Sequence, residues 1–148
     1  MTRPTVVLLG LILTIASNLI SPKGANAQND PPPCSIQKPT ILVGEASWYG
    51  PGFHGNATAI GETFDQNDPT TAACLDSFTE KRLCLRVTNL ENQRSIQVRC
   101  IDTGRFCEKY GRVIDLSRQG SINLRGEGDR PGSIPRVKIE PITCRRRA

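Results

Sequence analysis

The sequence is poor in aromatic residues and histidine, and its two kinds of charge nearly balance. Aromatic residues make up 5% of the 148 residues, too few for the stacking surface that single-stranded nucleic acids require. The net charge of +5 is likewise weak support for a nucleic-acid partner, so none is expected. The single histidine, His54, could serve as the base of a serine hydrolase, but the sequence has no G-x-S-x-G motif. Zinc binding is not expected either, because no H-x-x-x-H or C-x-x-C spacing is present. Glycine motifs for phosphate binding are absent too, so we expect no metal and no cofactor.

Long hydrophobic runs are missing beyond the N-terminus. Arg3, the apolar stretch 6–16 and the A-x-A triplet Ala25–Ala27 form the pattern of a cleaved secretory signal. The apolar stretch is shorter than the about 20 residues of a membrane span, so residues 1–27 are expected to be a signal peptide. The first cysteine follows a proline triplet rather than the cleavage site, so lipidation is not expected. The mature protein is then secreted, periplasmic or cell-wall associated, without a membrane span.

Six cysteines fall in the expected mature chain: Cys34, Cys74, Cys84, Cys100, Cys107 and Cys144. An even number in an exported protein predicts three disulfides and no free thiol. The sequence does not choose among the pairings. Because Cys34 and Cys144 bracket the domain, a bridge between them is one hypothesis.

Residues 28–40 are polar and proline-rich and predict a linker, and residues 41–148 predict one domain. Residues 43–49 predict a strand. Residues 53–72 are rich in Gly, Asn, Asp and Thr and show little periodicity, which predicts a long functional loop.

Alternating apolar and polar residues predict a hairpin of two strands, 82–89 and 95–102. In the second strand the alternation places Asp102 on the face of Val98 and Cys100. Gly104 and Gly111 bound a predicted loop. A strand at 113–116, a helix from the N-cap Ser117 to about Leu124, and a closing strand at 135–142 complete the prediction. Short strands tied by disulfides favour a mainly-β, compact barrel.

Carboxylates remain as the candidate catalytic groups. Glu62, Asp65, Asp102 and Asp115 fall in predicted loops or at strand ends. A carboxylic acid with a raised pKa can protonate a glycosidic oxygen. Each of these acids alone also fits a turn-forming or capping role.

Five segments, in order along the chain, resemble motifs of the rare lipoprotein A family. They are ASWYGPGFHG at 46–55, the Thr-Ala, Gly-Glu and Phe-Asp pairs within 58–65, TAA at 71–73, LRVTNL at 85–90 and VIDLS at 113–117. The resemblance implies a six-stranded double-psi β-barrel with one or two short helices. It also implies endolytic cleavage of peptidoglycan between N-acetylmuramic acid and N-acetylglucosamine, leaving 1,6-anhydro ends.

The resemblance assigns the site as well. Asp102 matches the family's catalytic aspartate, and Glu62 and Asp115 match further acids, so these three are the expected catalytic residues. The expected substrate-binding residues are Tyr49, His54, Thr58, Asp65 and Arg105. The expected partner is peptidoglycan glycan, bound by a monomer.

Two departures from the family pattern leave the function open. Cys74 stands where the family has a histidine, and Arg105 replaces the proline of its DRGPF motif. A cysteine in a disulfide cannot transfer protons, which favours the alternative of a non-catalytic, expansin-like protein that binds cell-wall polysaccharide. A third hypothesis is a disulfide-rich secreted defence or interaction protein of the barwin type.

Overall fold

The computed structural model describes Cys34, Ile36 and residues 40–144. The predicted signal peptide, 1–27, and most of the predicted linker, 28–40, lie outside the described residues and stay predictions.

Six strands and three short helices make up the described chain. The strands are β1 Leu42–Tyr49, β2 Thr71–Cys74, β3 Cys84–Asn89, β4 Ser95–Thr103, β5 Arg112–Ser117 and β6 Ile134–Ile142. The helices are α1 Asp76–Glu80, α2 Phe106–Tyr110 and α3 Arg118–Arg125. The structure therefore has one helix more than the largest number expected.

The six strands close into a barrel in the order β1-β5-β2-β4-β3-β6. The pairs β1–β5 and β2–β4 are parallel, and the remaining neighbours are antiparallel. Closure leaves no exposed sheet edge. The expected mainly-β, six-stranded double-psi barrel is confirmed.

The elements with a local sequence signal form where they were predicted. β3 and β4 pair as the antiparallel hairpin. Ser117 caps α3, since its hydroxyl accepts a 3.0 Å hydrogen bond from the amide of Gly120, as N-cap serines do. Gly126 ends the helix with a φ of 70°, which favours glycine.

Three elements were not predicted: β2, α1 and α2. All four residues of β2 are buried, because the strand lies between β4 and β5, so it shows no alternation of apolar and polar residues. The predicted loop 53–72 therefore ends too late, since β2 begins at Thr71. The predicted loop between Gly104 and Gly111 contains α2.

Three disulfides link the six cysteines: Cys34–Cys107, Cys74–Cys100 and Cys84–Cys144. The expectation of three bridges is confirmed, and no free cysteine occurs in the described chain. The hypothesis of a Cys34–Cys144 bridge is wrong, because the barrel places Cys34 against α2 and Cys144 beside the start of β3. None of the helices described in residues 40–144 is long and apolar enough to cross a bilayer.

Candidate active-site groove

A groove of about 420 Å³ opens where the ends of β1 and β4 meet α2 and β5. Acidic, aromatic and basic side chains line it together. They are Asp102 and Asp115; Trp48, Tyr49, Phe53, Phe106 and Tyr110; and Arg105, Lys109 and Arg112, with Gly50, Ala73, Thr103 and Gly104 between them. Four of the predicted site residues therefore share this groove: Tyr49, Arg105, Asp102 and Asp115.

The two acids lie on either side of Ala73. In the register of the sheet, Ala73 of β2 is opposite Asp102 of β4 and also opposite Asp115 of β5. The Cα atoms of the two acids are thus two strand spacings apart, roughly 10 Å. Because alanine ends at Cβ, it leaves open space between the two carboxyl groups. Asp102 and Asp115 are 13 positions apart in the sequence, and the pairing of both their strands with β2 brings them into one groove.

A β-bulge aims Asp102 at the groove. Ala72 is opposite Cys100 and Ala73 is opposite Asp102, so Ile101 is an extra residue in β4. Cys100 and Ile101 are both buried, at 1% exposure. The prediction that apolar and polar residues alternate without interruption as far as Asp102 is therefore wrong, because Ile101 interrupts the alternation. Bulges re-aim side chains in this way beside active sites.

Two backbone amides orient the carboxylate of Asp102. The N–H groups of Ala59 and Thr103 each donate to Oδ1 at 2.9 Å. Ala59 belongs to the long segment between β1 and β2, whose next residue, Ile60, also donates its amide to Ile101 O at 3.3 Å. The segment thus packs against the end of β4 and holds the acid in place. Among the described residues, no hydrogen bond is made to Oδ2 of Asp102.

Asp115, like Asp102, is half-buried. Burial raises the pKa of its carboxyl, while a hydrogen bond from Ser47 and the positive charge of Arg112 act in the opposite direction. The Ser47 hydroxyl donates to Oδ1 from the neighbouring strand β1. A buried acid with a raised pKa retains its proton at higher pH than an exposed one, which suits proton transfer.

Tyr49 presents no open ring face for a sugar. Its side chain is 8% exposed, and its ring stacks on Phe64 with centroids 4.0 Å apart. The edge of Phe53 covers it further, at 5.9 Å. Burial, and then the charges of Asp102 and Asp115, raise the pKa of its hydroxyl.

The rim of the groove carries cations and an exposed aromatic ring that the sequence analysis missed. Tyr110 is 53% exposed. Lys109 Nζ lies 5.0 Å and Arg112 Cζ 4.7 Å from its ring centroid, within the range of cation–π contacts. Arg112 also bonds Glu45 at 3.0 Å. The run Lys109-Tyr110-Gly111-Arg112 was a visible signal, because it combines an aromatic ring with two cations within four residues.

Glu62 and Thr58 have structural partners away from the described lining of the groove. Glu62 forms a two-pronged bond with Arg99, at 2.9 and 3.0 Å, and this bond is the main cause of the raised pKa of Arg99. The Thr58 hydroxyl is buried and accepts the Glu62 amide at 3.1 Å. These contacts stabilise a turn of the segment between β1 and β2. Neither Glu62 nor Thr58 is among the residues that line the groove.

His54 and Asp65 also lie outside the described lining. His54 Nδ1 is 3.5 Å from Asp65 Oδ1 and accepts the Gln66 amide at 3.3 Å. Accepting an amide requires Nδ1 to be unprotonated, so in this arrangement the pair is a contact rather than a salt bridge. Both side chains are about half exposed.

Cys74 occupies the position of the family histidine and cannot act as an acid or a base. It is fully buried and bonded to Cys100. Its neighbour Ala73 is the β2 residue that lines the groove, and consecutive strand residues face opposite sides. Cys74 therefore contributes no ionisable group to the groove.

A family model described as lytic transglycolase matches residues 41–129. That range includes the whole groove. Over 112 residues, 70% of this chain and 37% of the relative, the chain is 41% identical to the endolytic peptidoglycan transglycosylase RlpA of Campylobacter jejuni. Over 104 residues, 68% of this chain and 27% of the relative, it is 45% identical to the protein of that name from Pseudomonas aeruginosa.

A third relative, the probable endolytic peptidoglycan transglycosylase RlpA of a Synechocystis strain, is 53% identical over 77 residues, which cover 52% of this chain and 22% of the relative. The chain thus spans less than two fifths of the length of these three curated relatives. Among solved structures, the Streptomyces papain inhibitor superposes with a TM-score of 0.53 at 17% identity, covering 74% of this chain and all of the inhibitor. At that identity the likeness concerns the fold alone.

Proposed function

Because the chain belongs to the RlpA-like lytic transglycolase family of double-psi β-barrels, we propose that it cleaves peptidoglycan glycan strands in the groove. The observation that carries this proposal is the placement of Asp102 and Asp115 on either side of Ala73. Two carboxyl groups facing one open space can exchange protons with a bound sugar. The curated relatives support the substrate class through their names.

In the proposed reaction, Asp102 is the acid and then the base. Its carboxylic acid gives a proton to the oxygen between N-acetylmuramic acid and N-acetylglucosamine, and the bond from that oxygen to C1 breaks. The C6 hydroxyl oxygen of the muramic acid then bonds to C1, and its proton returns to Asp102. The product is a 1,6-anhydro sugar, and no water is consumed. Asp115 is the second acid, which holds the sugar from the floor of the groove.

The basic rim supports an anionic glycan as substrate. Arg105, Lys109 and Arg112 line the groove beside the two acids. Peptidoglycan carries carboxylates on its lactyl groups and peptides, and fixed cations concentrate such a polymer near the site. Tyr110 offers an exposed ring at the same rim for contact with a sugar face.

The test is mass spectrometry of fragments released from murein sacculi, intact and stripped of peptides. We expect anhydro-ended fragments from the natural chain and from the control Asp129→Asn, whose side chain is exposed outside the groove. Asp102→Asn should release none. Reducing ends would indicate hydrolysis instead. Activity lost in Asp115→Asn but kept in Asp102→Asn would exchange the two roles.

A second candidate is a barrel that binds cell-wall glycan without cutting it. The disulfide between Cys74 and Cys100 favours it, because it removes the proton-transferring side chain expected at that position. Retention on sacculi without fragment release would establish this function in place of the first.

A further inference from the structure

The hydroxyl of Tyr49 is a polar group that the fold buries and leaves without a partner. The side chain is 8% exposed, and no described residue forms a hydrogen bond with Oη. A buried hydroxyl without a partner destabilises a protein, and such groups are uncommon in native structures. Phenylalanine would make the same ring contacts without this unfavourable term. A role for the hydroxyl outside the packing of the fold would explain its presence.

The position of the hydroxyl indicates what that role is. Tyr49 lines the groove, and the charges of both Asp102 and Asp115 act on its phenol. Stacking on Phe64 and the edge contact with Phe53 hold the ring in one orientation. A donor whose orientation is fixed in this way beside two acids can stabilise developing charge without reorganisation.

We propose that Tyr49 Oη donates a hydrogen bond to an oxygen of the bound glycan between Asp102 and Asp115. This inference rests on the proposed function. The raised pKa keeps the phenol protonated throughout the working range, so it donates a hydrogen bond and does not act as a base. With Cys74 held in its disulfide, Tyr49 supplies a neutral donor in a groove whose other central polar groups are acids.

The test compares Tyr49→Phe with Ser77→Ala. Ser77 Oγ is also buried without a described hydrogen-bond partner, but Ser77 is not among the residues that line the groove, so each variant removes one such hydroxyl. We expect Tyr49→Phe to lower kcat for fragment release by about tenfold or more, with a smaller change in KM. Ser77→Ala should retain the natural rate. The melting temperature of Tyr49→Phe should equal or exceed that of the natural chain, because the substitution removes an unsatisfied group.

A binding measurement separates this inference from the proposed function. Labelling tyrosine with ¹³C at Cζ gives one signal for each of the two tyrosines in the sequence, Tyr49 and Tyr110. The Tyr110→Phe variant removes one signal and so assigns both. A peptide-free glycan tetrasaccharide should shift the Tyr49 signal, whether or not it is cut.

Each outcome decides one claim. A Tyr49→Phe variant that cuts at the natural rate would overturn the inference and leave the function standing. A melting temperature lowered by several degrees would also overturn it, since the hydroxyl would then have a partner in the fold. If the natural chain cuts no glycan, the function fails, and the signal of Tyr49 decides the inference alone: a shift supports donation, and no shift refutes it.

Discussion

Removal of the disulfide between Cys74 and Cys100 tests how the barrel holds its two central acids together. The bond joins β2, which contains Ala73, to β4, which contains Asp102. Both sulfur atoms lie in the core, at 0% and 1% exposure. The variant Cys74→Ala with Cys100→Ala removes the bond and leaves every groove-lining side chain in the sequence.

Two effects give the expected loss of stability. The bond spans 26 residues, and restraining a loop of that length in the unfolded chain stabilises the native state by about 3.5 kcal/mol. Each lost sulfur leaves a cavity the size of about one methyl group, which costs roughly 1 kcal/mol. The free energy of unfolding should therefore fall by about 5 kcal/mol. That is a large share of the stability of a domain of this size.

Equilibrium unfolding in urea measures this loss. At an m-value of about 2 kcal/mol per M, the midpoint should fall by roughly 2–3 M. The control removes Cys84–Cys144, a bond that spans 60 residues and should contribute about 4 kcal/mol by the same relation. That bond joins the start of β3 to the segment after β6, and none of its residues lines the groove.

The two variants should differ in function although they lose similar stability. At low temperature, where both remain folded, the Cys84–Cys144 variant should release glycan fragments at the natural rate. The Cys74–Cys100 variant should release fragments more slowly, because no covalent bond then joins β2 to β4. A stability loss below about 1 kcal/mol for the Cys74–Cys100 variant would refute the chain-restraint argument. Equal activities would refute the role of the bond in positioning Asp102.

Three further predictions concern single side chains. Because burial raises the pKa of Asp115 above its ordinary 3.8, the native state binds this proton more tightly than the unfolded chain does. The natural chain should then lose stability relative to Asp115→Asn as the pH rises above 3.8. A difference in unfolding free energy between the two proteins that stays constant across pH would contradict this. A Cβ at Gly44 would lie 2.5 Å from Val113 Cγ1, so Gly44→Ala should cost about 1–3 kcal/mol. Adding Val113→Ala should recover part of that loss in a double-mutant cycle; strictly additive losses would show that the two residues do not meet. Ser117 caps α3 and donates to Asp68 O at 2.7 Å, so Ser117→Ala should lower the unfolding free energy by about 2 kcal/mol; a change within a few tenths in denaturant unfolding would count against the cap.

The predictable parts of this protein depend on neighbours in sequence. The hairpin of β3 and β4 follows from alternating residues on both sides of a short turn. Ser117 and Gly126 mark the two ends of α3, because capping is a contact between a residue and the adjacent turn. Three disulfides followed from an even number of cysteines behind a secretory pattern. The motifs of the rare lipoprotein A family led to the barrel.

The functional site depends on distant residues, and for that reason sequence reasoning recovered only part of it. Asp102 and Asp115 were predicted as catalytic acids of one site, while the role of Ala73 as their common neighbour was not predicted. Glu62 was grouped with them, but its carboxylate instead pairs with Arg99, 37 residues away. Neither arrangement is visible in local periodicity.

The sequence by itself determined that the chain has short strands, a capped helix, three disulfides and a set of family motifs, because each of these is encoded by residue type and spacing along the chain. Barrel closure alone decided which cysteines pair, which acids share the groove and that the Tyr49 hydroxyl is enclosed. The physical reason is that β2, four residues with no alternation, becomes the common neighbour of β4 and β5 only when the sheet closes. The groove forms where those strands meet, and no single segment of the sequence contains all of its residues.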